Sequence, residues 1–311
     1  MKKSVFARSF AILLISCIFC SILSGCGSSN KSSSSEPPVY SPLRVLVPEA
    51  PGSDTLGSSP LTLDVSNITQ GYFAAQSDSA DLVTSLQITA PTGVLYSYFI
   101  EPGENAVIPF TEGDGDYTVV GYQQIQGDQY AALYSETLTV ELENEFLPFL
   151  YPNQYVNFSP DSEASKLALS MVSEDTSDID ALKQIYNYVV NNLSYDYDKA
   201  ETVETGYLPD VDETLSTKTG ICFDYAALTT AMLRSCDIPC KLQIGYTGDI
   251  KHAWIDVYIR SKGWVTNAVS FNGDSWSLMD PTFDSSADSD DSEAIQDYIG
   301  NADNYTVQFT R

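Results

Sequence analysis

The spacing of apolar residues changes character near residue 150, and this change constrains the architecture more than any other feature. Before it, short runs at 82–88, 94–100, 117–122 and 134–140 combine β-branched and aromatic residues, and Gly113-Asp114-Gly115 and Gly127-Asp128 punctuate them. Strands at this spacing, with no helical period between them, predict a small all-β sandwich over 61–150. Beyond it, Leu182, Ile185, Tyr186, Val189 and Leu193 recur at helical spacing, with Asp180 available near the start. This predicts helices over 164–173 and 179–193. A third helix is expected over 222–235, its small residues Ala226, Ala227 and Ala231 giving a surface that packs closely. Four strand-like runs follow, at 241–246, 253–260, 263–269 and 275–279. Helices preceding a run of strands predict an α+β domain over 151–311, not a parallel sheet. The segment 194–219 carries no clear periodicity and is expected to be a loop.

The first 25 residues are read separately. Lys2, Lys3 and Arg8 precede an apolar run over 10–22, followed by Leu23-Ser24-Gly25-Cys26. The run is short for a membrane span of about 20 residues, and its pattern is that of a secretion signal. It resembles the bacterial lipoprotein signal, which implies cleavage before Cys26, lipidation of its sulfur and a mature protein held on the extracytoplasmic face of the cell membrane. Ser, Pro and Gly dominate 26–60, so a flexible tether is expected there, with an end-to-end distance of roughly 30 Å.

Cleavage would take the formal net charge from −27 to about −30, because three basic residues leave and no acidic residue precedes Glu36. Such a surface repels nucleic acid and anionic lipid, leaving protein or peptide at the cell surface as the expected partner and lipidated Cys26 as the membrane contact. Beyond Cys26, the mature chain keeps only Cys222, Cys236 and Cys240, too few for a disulfide framework. A Cys236–Cys240 bridge is conceivable, though both read as small apolar fillers around Pro239. No neighbouring Cys or His completes a zinc site, and the acidic run 284–293 lacks the spacing of a calcium loop. No metal or other cofactor is therefore expected. The tyrosines of the β-region read as half-buried sheet residues before they read as a carbohydrate platform.

One histidine occurs in the whole chain. His252 lies between Gly220-Ile221-Cys222-Phe223-Asp224-Tyr225-Ala226 and Met279-Asp280-Pro281. Gly220 permits a sharp turn into a helix that begins at Cys222, where unsatisfied amides and the positive helix end favour thiolate. An imidazole then serves as base and acid, and a carboxylate on its Nδ1 fixes the tautomer. Taken singly, a cysteine at a helix start or a histidine opening a strand is an ordinary packed residue. Asp224 reads as a first-turn charge, and Trp254 and Trp264 as core or cleft wall.

Five pieces in order resemble the transglutaminase-like core of the papain-like cysteine enzymes over about 150 positions from roughly Ser162. They are Asn192-Leu193-Ser194-Tyr195-Asp196, the segment around Cys222, Cys236-Asp237-Ile238-Pro239, His252-Ala253-Trp254, and Trp264 before Asp280-Pro281. The resemblance implies a cysteine-bearing helix packed on an antiparallel sheet, with Cys222 as nucleophile, His252 as general base and acid, and Asp280 as the orienting group. It implies acyl transfer or amide hydrolysis through a thioester, with the Cys222 amide as one oxyanion donor. Tyr195, Asn192, Tyr225 and Trp254 are candidates for a second donor or for the cleft lining. The alternative is a noncatalytic binding module for cell wall or surface protein on the same fold.

Overall fold

The computed structural model describes residues 45–173, 175–266 and 305–311, and the backbone of 269–271 and 276–278. Eight strands make up the N-terminal half: β1 (Thr55–Ser58), β2 (Leu61–Asp64), β3 (Tyr72–Ser77), β4 (Thr84–Thr89), β5 (Leu95–Ile100), β6 (Asn105–Pro109), β7 (Gly115–Gln126) and β8 (Gln129–Val140). They form two antiparallel sheets, ordered β1-β2-β3-β6 and β5-β4-β7-β8. Inward residues from both sheets, including Leu63, Phe73, Leu86, Ile108 and Val119, share one core. Tyr117 closes its end, its hydroxyl accepting from the Glu112 amide and donating to the Gly113 carbonyl at 2.9 Å. Gly127, at φ +53°, forms the β7–β8 turn with Asp128, and both strands run longer than the apolar pattern predicts.

The expected tether over 26–60 reaches less far than its composition suggests. Val45 is buried in the core of the C-terminal half, and β1 pairs with β2 through Leu56↔Leu63. Ser, Pro and Gly here serve ordered turns: the Gly52 amide donates to the Asp64 carboxylate.

In the C-terminal half come α1 (Glu163–Met171), α2 (Asp178–Asn192), β9 (Ser194–Tyr195), α3 (Tyr197–Thr202), α4 (Val211–Thr217), β10 (Thr219–Gly220) and α5 (Cys222–Ser235). β11 (Cys240–Thr247), β12 (Ile250–Ile259), β13 (Gly263–Val265), β14 (Val269–Phe271), β15 (Trp276–Leu278) and β16 (Tyr305–Thr310) follow. The main sheet is antiparallel in the order β13-β12-β11-β16, while β14 and β15 pair with each other. The run expected over 263–269 thus stops at Val265. Helix α5 lies between α1, α2 and α4 on one side and β11 and β12 on the other. Twelve of its 14 residues are buried, so it has no solvent face and its small side chains let neighbours approach on every side. It ends where Asp237 takes φ +58° and the Ile238 amide reaches the Leu233 carbonyl, a left-handed stop with Pro239 just beyond.

The segment 194–219 is not the featureless loop expected. Asp210 caps α4 by accepting from the Asp212 and Glu213 amides, and Val211 and Thr214 are buried. A run of acidic and hydroxyl residues hides these helices because caps, not an apolar stripe, define them. Helix α2 begins at Ser177, which accepts from the Asp180 amide, so Asp180 is not itself the cap.

Arg234, near the end of α5, ties that helix to the linker and to the strands beside it. It is buried and donates to the carbonyls of Cys240, Tyr151 and Arg311 at 2.8–3.0 Å. Burial pushes its guanidinium down to about 10. Arg311 joins the two halves: its guanidinium lies over the rings of Tyr155, Tyr96 and Tyr98 and donates to the Tyr98 hydroxyl at 2.7 Å.

Candidate active site

Cys222 is the first residue of α5, and the preceding Ile221 is extended at φ −98°, ψ 176°. An isoleucine offers no side-chain oxygen, so the start of α5 carries no side-chain cap of the kind seen on α2 and α4. By helix geometry the Cys222 and Phe223 amides have no acceptor within α5. Asp224 holds the turn from inside. Its fully buried carboxylate accepts from the Ile221 amide at 2.8 Å. Gly220 is required at the same point, since a Cβ there would lie 2.6 Å from the Asp224 Cβ.

Asp224 also fastens the segment that follows α3. Lys199 Nζ lies 2.8 Å from its carboxylate, the Tyr207 hydroxyl donates to it, and Lys199 donates to Tyr207 at 2.7 Å. Burial opposes the Lys199 charge, but the Asp224 and Tyr207 hydrogen bonds outweigh it and hold the ammonium above 10.5. Burial, reinforced by Asp224, pushes Tyr207 up to about 12. Short parallel pairing sets the other side of the entry: the Ser194 amide bonds the Lys218 carbonyl and the Asp196 amide bonds that of Gly220, both at 2.9 Å. Tyr195 thereby comes alongside the turn into Cys222.

His252 lies on β12 opposite Gly245 of β11 and is nearly buried. Gly245 has no room for a side chain, because a Cβ would sit 1.9 Å from the Thr306 carbonyl oxygen and 2.9 Å from Trp254. That absence lets β16 close over β11 and Trp254 pack beneath. The His252 and Trp254 rings are near parallel, 22° apart in plane with centroids 6.4 Å apart.

Cys222, His252 and Tyr195 all line one cavity of about 570 Å³. The other candidates lie elsewhere. Asn192 donates its amide to the Tyr188 carbonyl on its own helix, and Tyr225 and Trp254 are core residues, none of them lining the cavity. Asp280 and Cys26 lie outside the described residues. Sequence reasoning missed Phe223, Tyr207, Lys251 and Tyr155, which also line the cavity, and the whole β5 contribution of Leu95, Ser97 and Phe99. Cys236 and Cys240 are free thiols, buried and each pushed up to about 12 by that burial, unlike the partly exposed Cys222. Among the described residues no cluster of His, Cys, Asp and Glu could hold a metal ion.

Residues 165–281 match the transglutaminase-like superfamily. The chain carries a transglutaminase-like core. Within this span the core places its cysteine at a helix start and its histidine on an adjoining antiparallel sheet. Two curated relatives overlap the chain in part. UPF0252 protein MJ1282 of Methanocaldococcus jannaschii is 40% identical over 62 residues, 18% of each protein. The uncharacterized protein YebA of Bacillus subtilis is 24% identical over 183 residues, 51% of this chain and 25% of that one. The chain thus spans a quarter or less of the length of these relatives. Among solved structures, a protein of Cytophaga hutchinsonii provisionally described as a cysteine protease shares 16% identity at a TM-score of 0.38, over 77% of this chain and 83% of that one. A protein of Parabacteroides distasonis provisionally described as a protease shares 10% at 0.29, over 67% and 64%.

Proposed function

We propose that this protein is a cysteine-dependent enzyme that cleaves or transfers amide acyl groups of proteins or peptides at a cell surface. The observation that carries the reading is the opening of the Cys222 helix start and the His252 strand into one cavity. In the reaction, the Cys222 thiolate attacks an amide carbonyl carbon, and the C–N bond breaks as His252 delivers a proton to the departing amine. The thioester that remains is resolved when water or a second amine attacks it, His252 takes the proton, and the thiolate leaves. Asp280 is assigned to the imidazole Nδ1, where it would fix the tautomer. The Cys222 amide is the first oxyanion donor, and Tyr195 is favoured for the second because it lines the cavity. Lipidation at Cys26 would keep the enzyme on the extracytoplasmic face of the membrane and restrict it to substrates within reach of that surface.

The decisive experiment follows alkylation of Cys222 with pH by mass spectrometry, comparing the wild type with His252→Ala. Reactivity persisting well below about pH 8.5, the value for a free thiol, and lost in the variant is the expected result. Ordinary reactivity in both proteins would remove the catalytic reading and favour a binding module. A glutamine-bearing protein offered with a labelled amine then separates transfer from hydrolysis, since only transfer incorporates the label.

A further inference from the structure

Large apolar side chains exposed to solvent converge on the Cys222 cavity. Leu95 is 50% exposed and Phe99 48%, and both line it together with exposed Val203, Leu208 and Ile250. Scattered exposed apolar residues need no explanation, but a contiguous group in a concave site does. The two from β5 are the most informative. On β5 residues alternate strictly, with Tyr96, Tyr98 and Ile100 inward and Leu95, Ser97 and Phe99 outward. The neighbouring strands of that sheet follow the usual rule on the outer face, with Gln87 and Thr89 exposed on β4 and Asp116 and Thr118 on β7. On the same face β7 carries Val120 and Tyr122, but both are half-buried, whereas Leu95 and Phe99 of β5 stand exposed where the strand meets the cavity.

The strand is also fixed in place. Gln154 donates to the Phe99 carbonyl at 2.6 Å and Tyr155 donates to that of Ser97 at 3.3 Å. These side chains occupy the free edge of β5, so its carbonyls are not open to pair with an extended peptide. What β5 offers the cavity is its side chains. The charge of the cavity differs from that of the chain as a whole. In a protein with 42 acidic and 15 basic residues, the charged groups lining it among the described residues are Glu204 against Lys251 and Arg311, beside His252.

We propose that β5 forms the specificity wall of the active site, and that the cleft selects amide substrates carrying a large uncharged aliphatic or aromatic side chain beside the scissile bond. This rests on the catalytic reading above and deepens it. The β-rich half becomes part of the site, with Leu95 and Phe99 the residues that read the substrate.

The test compares two neutral electrophiles, chloroacetamide and N-(2-phenylethyl)chloroacetamide, on the full chain, with labelling mapped to Cys222. Relative to free cysteine, the wild type should favour the phenylethyl reagent by roughly tenfold. The double variant L95S/F99S should lose that preference, while Ile125→Ser, which alters an exposed apolar residue of β7 away from the cavity, should keep it. No preference in the wild type, or an unchanged preference in the double variant, would overturn the proposal. A second measurement does not depend on the thiol. Calorimetry on Cys222→Ala should show a blocked tripeptide with central phenylalanine binding roughly tenfold tighter than its serine counterpart, and the gap should close when L95S/F99S is added. If Cys222 proves inert but this gap persists, the catalytic reading falls and the apolar wall stands. Equal binding, or tighter binding of a lysine counterpart, removes the wall.

Discussion

Helices α2 and α4 begin differently from α5, and the difference separates two stabilising ends from the one that the proposed mechanism uses. Ser177 and Asp210 cap the first two with side-chain oxygens that accept from amides of the first turn. At α5 the corresponding residue is Ile221, which has no such oxygen. Help comes from inside the helix, where Asp224 accepts from the Ile221 amide and leaves the Cys222 and Phe223 amides without an acceptor in the helix. A capped end uses its amides for stability, whereas in the proposed mechanism this one keeps them for an incoming oxyanion. The cost is a buried carboxylate, and Lys199 and Tyr207 offset it.

Removing Asp224 should therefore have the largest effect. Asp224→Ala takes away the acceptor of the Ile221 amide and leaves Lys199 and Tyr207 without their anchor, so a loss of about 3 kcal/mol is expected in denaturant unfolding. Cys222 alkylation should fall with it even where the variant remains folded. Alkaline pH offers a milder way to loosen the same anchor. Lys199 and Tyr207 both hold their protons more tightly when folded than their ordinary values of 10.5 and 10.0. Their contribution is intact below about pH 10 and declines as the pH climbs toward 12. Subtilisin cleavage within 203–206 should accelerate between about pH 10 and 12, and Lys199→Met should already be cleaved quickly at about pH 9. Equal rates for the two proteins at pH 9 would show that the ion pair does not hold the segment.

Much of this arrangement was legible in the sequence, and the parts that were not share a physical cause. The extent of α5 could be read because Gly220 marks its start and Cys236-Asp237-Ile238-Pro239 its end, both backbone signals local to the sequence. The placing of Cys222 and His252 on one cavity followed from motif order. Helices α3 and α4 were hidden because their starts depend on Asp196 and Asp210 within an acidic stretch without an apolar stripe. Asn192, Tyr225 and Trp254 read as cleft residues from their nearness to the motifs, yet sequence proximity does not say which way a side chain points. Tyr225 and Trp254 point into the core. The role of β5 could not be read at all, since its outward apolar residues look like ordinary strand residues until the fold brings them to a cysteine more than 100 positions away. Tyr207 left a faint signal as a lone aromatic between Gly206 and Leu208 in an otherwise polar run.

The smallest expected change tests the contrast between helix starts most directly. Ser177→Ala should lower stability by about 1 kcal/mol by removing the cap of α2, and Cys222 alkylation should not change, because that helix end faces no reaction. Ile221→Thr makes the opposite exchange. A threonine at the start of α5 supplies the missing oxygen, and its hydroxyl competes for the Phe223 or Asp224 amide. The gain from capping and the loss of a buried isoleucine are of similar size, about 1 kcal/mol each, so net stability should hardly move. Reactivity should not be spared, since a hydroxyl drawing on the first-turn amides weakens the field that favours the Cys222 thiolate. The variant should need a higher pH than the wild type for half-maximal alkylation. If Ile221→Thr alkylates like the wild type, the absence of a cap at α5 serves packing alone, and activation of Cys222 would rest on His252.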